Sequence, residues 1–117
     1  MKIVNFLERP SAMESVHGGE GLCKNSCVME SHEFETPLRF IYYTELPPNA
    51  SFGVHKHGND NEVYVVLEGN GTFTMNDETV PVKTGDLLVN KPFASHGLQN
   101  GGEGIMRVLV FEVYNKD

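Results

Sequence analysis

Apolar positions in this chain recur mostly at every second residue, in short runs closed by Gly, Asn and Pro. The runs "RFIYYTEL" (Arg39 to Leu46), "SFGVHKH" (Ser51 to His57), "EVYVVLE" (Glu62 to Glu68) and "GTFTM" (Gly71 to Met75) read as strands. So do "TVPVK" (Thr79 to Lys83), "DLLVN" (Asp86 to Asn90), "SHGLQ" (Ser95 to Gln99) and "IMRVLVFEVY" (Ile105 to Tyr114). Turn signals separate them: Pro47-Pro48-Asn49, Gly58 to Asn61, Gly69-Asn70-Gly71, Asn76-Asp77, Thr84-Gly85-Asp86 and Gly101-Gly102. Many short strands at this spacing predict an all-β sandwich or closed barrel. After residue 35 no window supports a helix of three turns. The only helical candidate is a turn or two around Leu7 to Ser15. In the first third, glycines suit a tight turn and a strand is expected from Leu22 to Met29. The chain reads as one domain, residues 1–117, with 1–35 as an amino-terminal extension that contributes edge strands.

Composition narrows the classes. With 117 residues the chain is long enough to bury a core without staples. Its net charge is -7, and its nine basic residues are scattered, so nucleic acid is not an expected partner. Cys23 and Cys27 are too few for a disulfide framework, and their C-x3-C spacing fits neither the common zinc pairs nor a C-x-x-C redox motif. They read as reduced thiols. The start "MKIVNFLERP" has no extended apolar core, and no run approaches the ~18 apolar residues of a membrane span. The expected setting is cytoplasmic, with no membrane partner.

The chemistry lies in "GVHKHGNDNEVYVVLEGNG", Gly53 to Gly71. On a strand, residues i and i+2 share a face. His55 and His57 therefore point one way and Lys56 the other. A turn over Gly58 to Asn61 lets Glu62 open the next strand and return toward the imidazoles. Two imidazoles and a carboxylate on one face form a site for a borderline divalent metal. A second stretch, "GDLLVNKPFASHGLQN", supplies His96 as a fourth ligand if its strand lies beside the first pair.

These two stretches resemble the motifs of the cupin superfamily. The first motif, G-x5-H-x-H-x3,4-E-x6-G, is met by His55, His57, Glu62 and Gly69, with Asn49 at its opening glycine. The second, G-x5-P-x-G-x2-H-x3-N, is met by Gly85, His96 and Asn100. Lys91 and Phe93 stand at its proline and second glycine, with Pro92 and Ala94 one residue later. The departures concern turn geometry and leave every ligand position intact.

The resemblance implies a small β-barrel of the jelly-roll kind, two antiparallel sheets around one apolar interior. It implies that His55, His57, Glu62 and His96 hold one divalent transition metal, with iron, manganese, nickel and zinc all open. It also implies a small-molecule substrate or ligand. The chemistry left open is that of a dioxygenase, or of a sugar isomerase, epimerase or lyase; the alternative is a non-catalytic binding or sensing module. Tyr42, Tyr64, Phe73, Met75, Leu98 and Phe111 are the candidates for the pocket wall, with plain core packing the alternative for each. His17, in "VHGGEG", reads as a surface residue, a place at the barrel mouth being the alternative; His32 reads as surface. A homodimer is expected, joined through "KIVNF" or "IMRVLVFEVY".

Overall fold

The computed structural model describes residues 2–115. Ten strands follow one another: β1 (Ala12–Glu14), β2 (Cys23–Glu30), β3 (Leu38–Leu46), β4 (Ser51–Lys56), β5 (Asp60–Glu68), β6 (Asn70–Met75), β7 (Glu78–Lys83), β8 (Leu87–Asn90), β9 (Ser95–Asn100) and β10 (Met106–Tyr114). They form a six-stranded sheet, β1-β2-β3-β10-β5-β8, and a four-stranded sheet, β4-β9-β6-β7. Every pairing within the two sheets is antiparallel. This is the jelly-roll arrangement that the family resemblance implies, within the two-sheet or barrel class expected from the alternating runs. No helix among the described residues is long and apolar enough to cross a membrane.

Alternation decides which face each strand buries. On β10, Met106, Val108, Val110 and Glu112 are buried while Arg107, Leu109, Phe111 and Val113 face outward. On β5 the inward set is Asp60, Glu62, Tyr64 and Val66. Leu46, Phe52, Val66, Phe73, Leu98, Met106 and Val108 meet between the sheets as one core. Each such side chain contributes about 1.5–3 kcal/mol by leaving water. The same two inward rows end in carboxylates, so the apolar core gives way to a polar site at one end of the barrel.

Two local features set the site. In β4, Phe52 lies opposite Leu98 and His55 opposite His96, so β4 carries one residue more than β9 between these pairs. That bulge turns both Phe52 and His55 inward although they are an odd number of residues apart. The turn before β5 is also shorter than the sequence suggests. It ends at Asp60, which becomes the first inward residue of the strand.

The amino-terminal segment differs from expectation. In place of a helix around Leu7 to Ser15 there is a 3-10 turn at Phe6–Glu8, and then β1. Pro10 lacks the N–H that a helix would need, and Ala12 to Glu14 find partners in Cys23 to Asn25. Lys2 to Asn5 form no strand within the chain; the Phe6 ring packs on Tyr43 at 4.8 Å, on the outer face of the large sheet. Both cysteines are free, and burial, with Glu14 nearby, pushes the Cys23 thiol up to about 11.

Candidate functional site

At the open end of the barrel, β4, β5 and β9 bring His55, Glu62 and His96 together, with one ligand atom of each within 4.8 Å of the others. His96 Nε2 lies 3.1 Å from His55 Nε2 and 2.9 Å from Glu62 Oε1. The carboxylate contact is close yet outside hydrogen-bond alignment, and Glu62 Oε1 remains without a hydrogen-bond partner. His57 stands beside this group, its ring centroid 4.8 Å from that of His96. Its Nε2 is buried and has no partner.

The tautomers follow from what the other ring nitrogens touch. His55 Nδ1 lies 2.8 Å from the Gly53 carbonyl, which only accepts. Nδ1 therefore carries the proton and Nε2 presents a lone pair. His57 Nδ1 donates to Asp60 Oδ1 at 2.5 Å, so its Nε2 is likewise a lone-pair donor to a metal. The His55, Glu62 and His96 atoms face one another with mutually repelling lone pairs unless a proton or cation stands between them, and the buried His57 Nε2 lies beside them without a partner. Two imidazoles held by backbone or carboxylate, plus an unpartnered buried carboxylate oxygen, fit a divalent metal ion well.

Three further ionisable side chains, Arg39, Asp60 and Glu112, surround this group. Arg39 Nη1 donates to Glu112 Oε1 at 2.5 Å and lies 3.5 Å from Asp60 Oδ2. Asp60, Glu62 and Glu112 are all buried. Burial would raise the Glu62 carboxyl, but His96 and Glu112 outweigh it and hold Glu62 at about 2. Burial drives Glu112 in the opposite direction, helped by Asp60 and Glu62, to about 9. The two carboxyls are thus shifted in opposite directions, Glu62 toward the ionised form and Glu112 toward the protonated one. Burial also lowers His55 and His17, so both rings are neutral near pH 7.

The ligand group opens onto a cavity of about 630 Å³, within the span of roughly 300–1,000 Å³ typical of small-molecule sites. Tyr42 and Tyr64 line it. Phe73, Met75, Leu98 and Phe111 do not: Phe73 and Leu98 belong to the core, Met75 packs against it, and Phe111 faces outward from β10. Phe73 and Leu98 sit one step deeper in the barrel than His96, Met75 lies directly opposite His96 on β6, and strand alternation sends Phe111 to the other side of its sheet. His17, expected at the surface, lies in the cavity wall with its ring stacked on His55 at 3.5 Å and 14°. Sequence reasoning also missed Arg39, Asp60 and Glu112. Glu112 carried a signal, since it occupies an inward position of an otherwise apolar alternation.

Comparison with known proteins gives the family and the fold. The family described as "Cupin domain" matches residues 42–112. An oxalate-binding protein of Thermotoga maritima is 31% identical over 100 residues, which cover 86% of this chain and 83% of that one. Among solved structures, a predicted oxalate decarboxylase from Thermotoga maritima superposes with TM-score 0.93 at 28% identity, covering 97% of this chain and all of that one. The polyketide cyclase RemF from Streptomyces resistomycificus shares the fold alone: TM-score 0.79, 20% identity, 98% and 80% coverage. The match over residues 42–112 contains all four motif positions, His55, His57, Glu62 and His96, and the chain belongs to the cupin domain family.

Proposed function

We propose that the protein uses one divalent transition metal, held by His55, His57, Glu62 and His96, to bind a small oxygenated metabolite, with oxalate and similar carboxylates the first ligands to test. The single observation that carries this reading is the convergence of the His55, Glu62 and His96 ligand atoms, with Glu62 Oε1 and the neighbouring His57 Nε2 left unpartnered, beside a cavity of about 630 Å³. The likeness to an oxalate-binding protein supports the carboxylate class. A bound ion supplies Lewis acidity toward a chelating oxygen and, for iron or manganese, redox capacity. The chain's own residues do the remainder. Asp60 fixes the His57 ring, Gly53 fixes His55, Phe52 and Tyr64 exclude water from one side, and Arg39 neutralises the carboxylates behind the ligands.

Turnover is a second reading, favoured by Glu112. A carboxyl that keeps its proton to about 9, in contact with Glu62 and facing the cavity, is able to give that proton to a bound ligand. For oxalate the balanced reaction is decarboxylation, in which the departing carboxyl leaves as carbon dioxide and one proton completes formate. The test loads metal-free protein separately with iron, manganese, nickel and zinc. Calorimetric titration with oxalate follows, then carbon-13 NMR of the same samples. Saturable binding only in a metal-loaded form supports the first reading, and formate with carbon dioxide supports the second. No binding of oxalate or related chelating carboxylates by any metal form defeats both.

A homodimer is part of this reading. What supports it is the outer face of the six-stranded sheet, where Val63, Val65, Leu87, Val89, Leu109 and Phe111 adjoin across β8, β5 and β10.

A further inference from the structure

The amino-terminal segment from β1 to Glu20 lies outside the residues matched by the family, yet it builds one wall of the cavity: Glu14, Val16 and His17 all face it. The segment crosses from the six-stranded sheet to the four-stranded one. Val16 forms a parallel bridge with Phe52, Gly53 N–H donates to Val16 O at 3.1 Å, and Ser51 N–H donates to Glu20 O at 2.9 Å. In return Glu20 N–H donates to Ser51 Oγ at 2.9 Å. The approach leaves no room for side chains: a Cβ on Gly19 would lie 2.1 Å from Ser51 O, and one on Gly53 would lie 2.1 Å from His17 O. The strap is therefore seated on the bulge of β4 that aims His55.

At the top of this strap His17 takes a left-handed backbone, φ 52, followed by Gly18 at φ 68. A non-glycine residue there stores strain, and strain of this kind gathers where position matters. What the strain achieves is visible: it lays the His17 ring flat on His55, 3.5 Å between centroids. His55 is thus held by Gly53 O at Nδ1, and by a second ring against its face.

We propose that His17 is a positioning residue of the metal centre, fixing the His55 ring by stacking so that its Nε2 stays aimed at the ion. The inference rests on the metal reading above. It is tested with cobalt and zinc as probes, using competition with a chromophoric chelator for affinity and the visible bands of bound cobalt for geometry. His17→Gly removes the ring and relieves the left-handed strain. Its metal-free form should unfold at a temperature no lower than the native protein's, yet bind both metals at least about tenfold more weakly, the scale of lost outer-shell support, with altered cobalt bands. His17→Phe keeps a ring without nitrogen and should restore affinity to within about threefold of native. Affinity and cobalt bands unchanged in His17→Gly overturn the proposal. So does His17→Phe binding as weakly as His17→Gly, since the nitrogen rather than the stack would then matter. Native protein that binds neither metal defeats the metal reading itself, and this proposal with it.

Discussion

At the scale of single residues, the two motif positions where glycine is replaced are informative. Asn49 and Phe93 both adopt left-handed backbones, φ 67 and φ 63, so the turn geometry survives the substitutions. Asn takes this region at little cost and Phe at a larger one, and Phe93 is also 58% exposed. Left-handed strain costs roughly 1–2 kcal/mol, offset by the roughly 0.5–1 kcal/mol that glycine's freedom adds to the unfolded chain. Phe93→Gly should accordingly stabilise the protein by about 0.5–1 kcal/mol in urea unfolding; a loss of stability would contradict this account of the turn. Glu112 supports a second expectation. Its folded carboxyl titrates at about 9, above the ~4.3 of an unfolded glutamate, so it favours the folded state fully below pH ~4.3 and progressively less as pH rises toward 9. In metal-free protein, stability relative to Glu112→Gln should therefore fall between pH 5 and pH 8, as followed by urea titration. A constant difference would mean that Glu112 stays ionised in the folded protein, with its carboxyl not raised.

At the scale of elements, the strands were readable because their inward and outward positions alternate so cleanly, as in β5 and β10. The convergence of His55, Glu62 and His96 was readable because their spacing is confined to two strand–turn units. Asp60 was hidden by its place in "GNDN", which looks like turn chemistry until the strand is seen to start there. Arg39 and His17 come from β3 and the strap, whose meeting with the ligands is a matter of tertiary packing rather than spacing. The bulge in β4 was equally invisible, since Gly53-Val54 reads as ordinary strand. Asn100 shows what a motif residue does for an element without touching the cavity. Buried on β9, its Nδ2 donates to Leu46 O and Gly104 O at 2.8 Å, and its Oδ1 accepts from Gly102 N–H at 2.9 Å. It ties the end of β3 to the loop before β10. Asn100→Ala leaves these groups unpaired, at about 1–3 kcal/mol each if they stay dry. A loss of about 2–4 kcal/mol in chemical denaturation is expected, and a change near zero would remove Asn100 from this role.

For the whole molecule, the apolar outer face of the large sheet and the open end of the barrel make separate demands. Leu87 and Val89 are 61% and 51% exposed on that face, next to the outward row of β5 and β10. Light scattering should give twice the 13.0 kDa chain mass, and Leu109→Lys with Phe111→Lys should return it to one. A monomer at every working concentration would leave the face without its expected partner.

The central claim is that four side chains on β5, β9 and the end of β4 serve one ion. His57 is the most exacting of them to test, because it stands outside the group formed by His55, Glu62 and His96, beside the His96 ring, with its Nδ1 on Asp60 and its Nε2 unpartnered. The direct measurement is a calorimetric metal titration of native protein and of His57→Ala. One ion per native chain is expected, with affinity at least about tenfold lower in the variant, in keeping with the loss of a ligand. No saturable binding by the native protein, or binding of equal strength by the two, would contradict it.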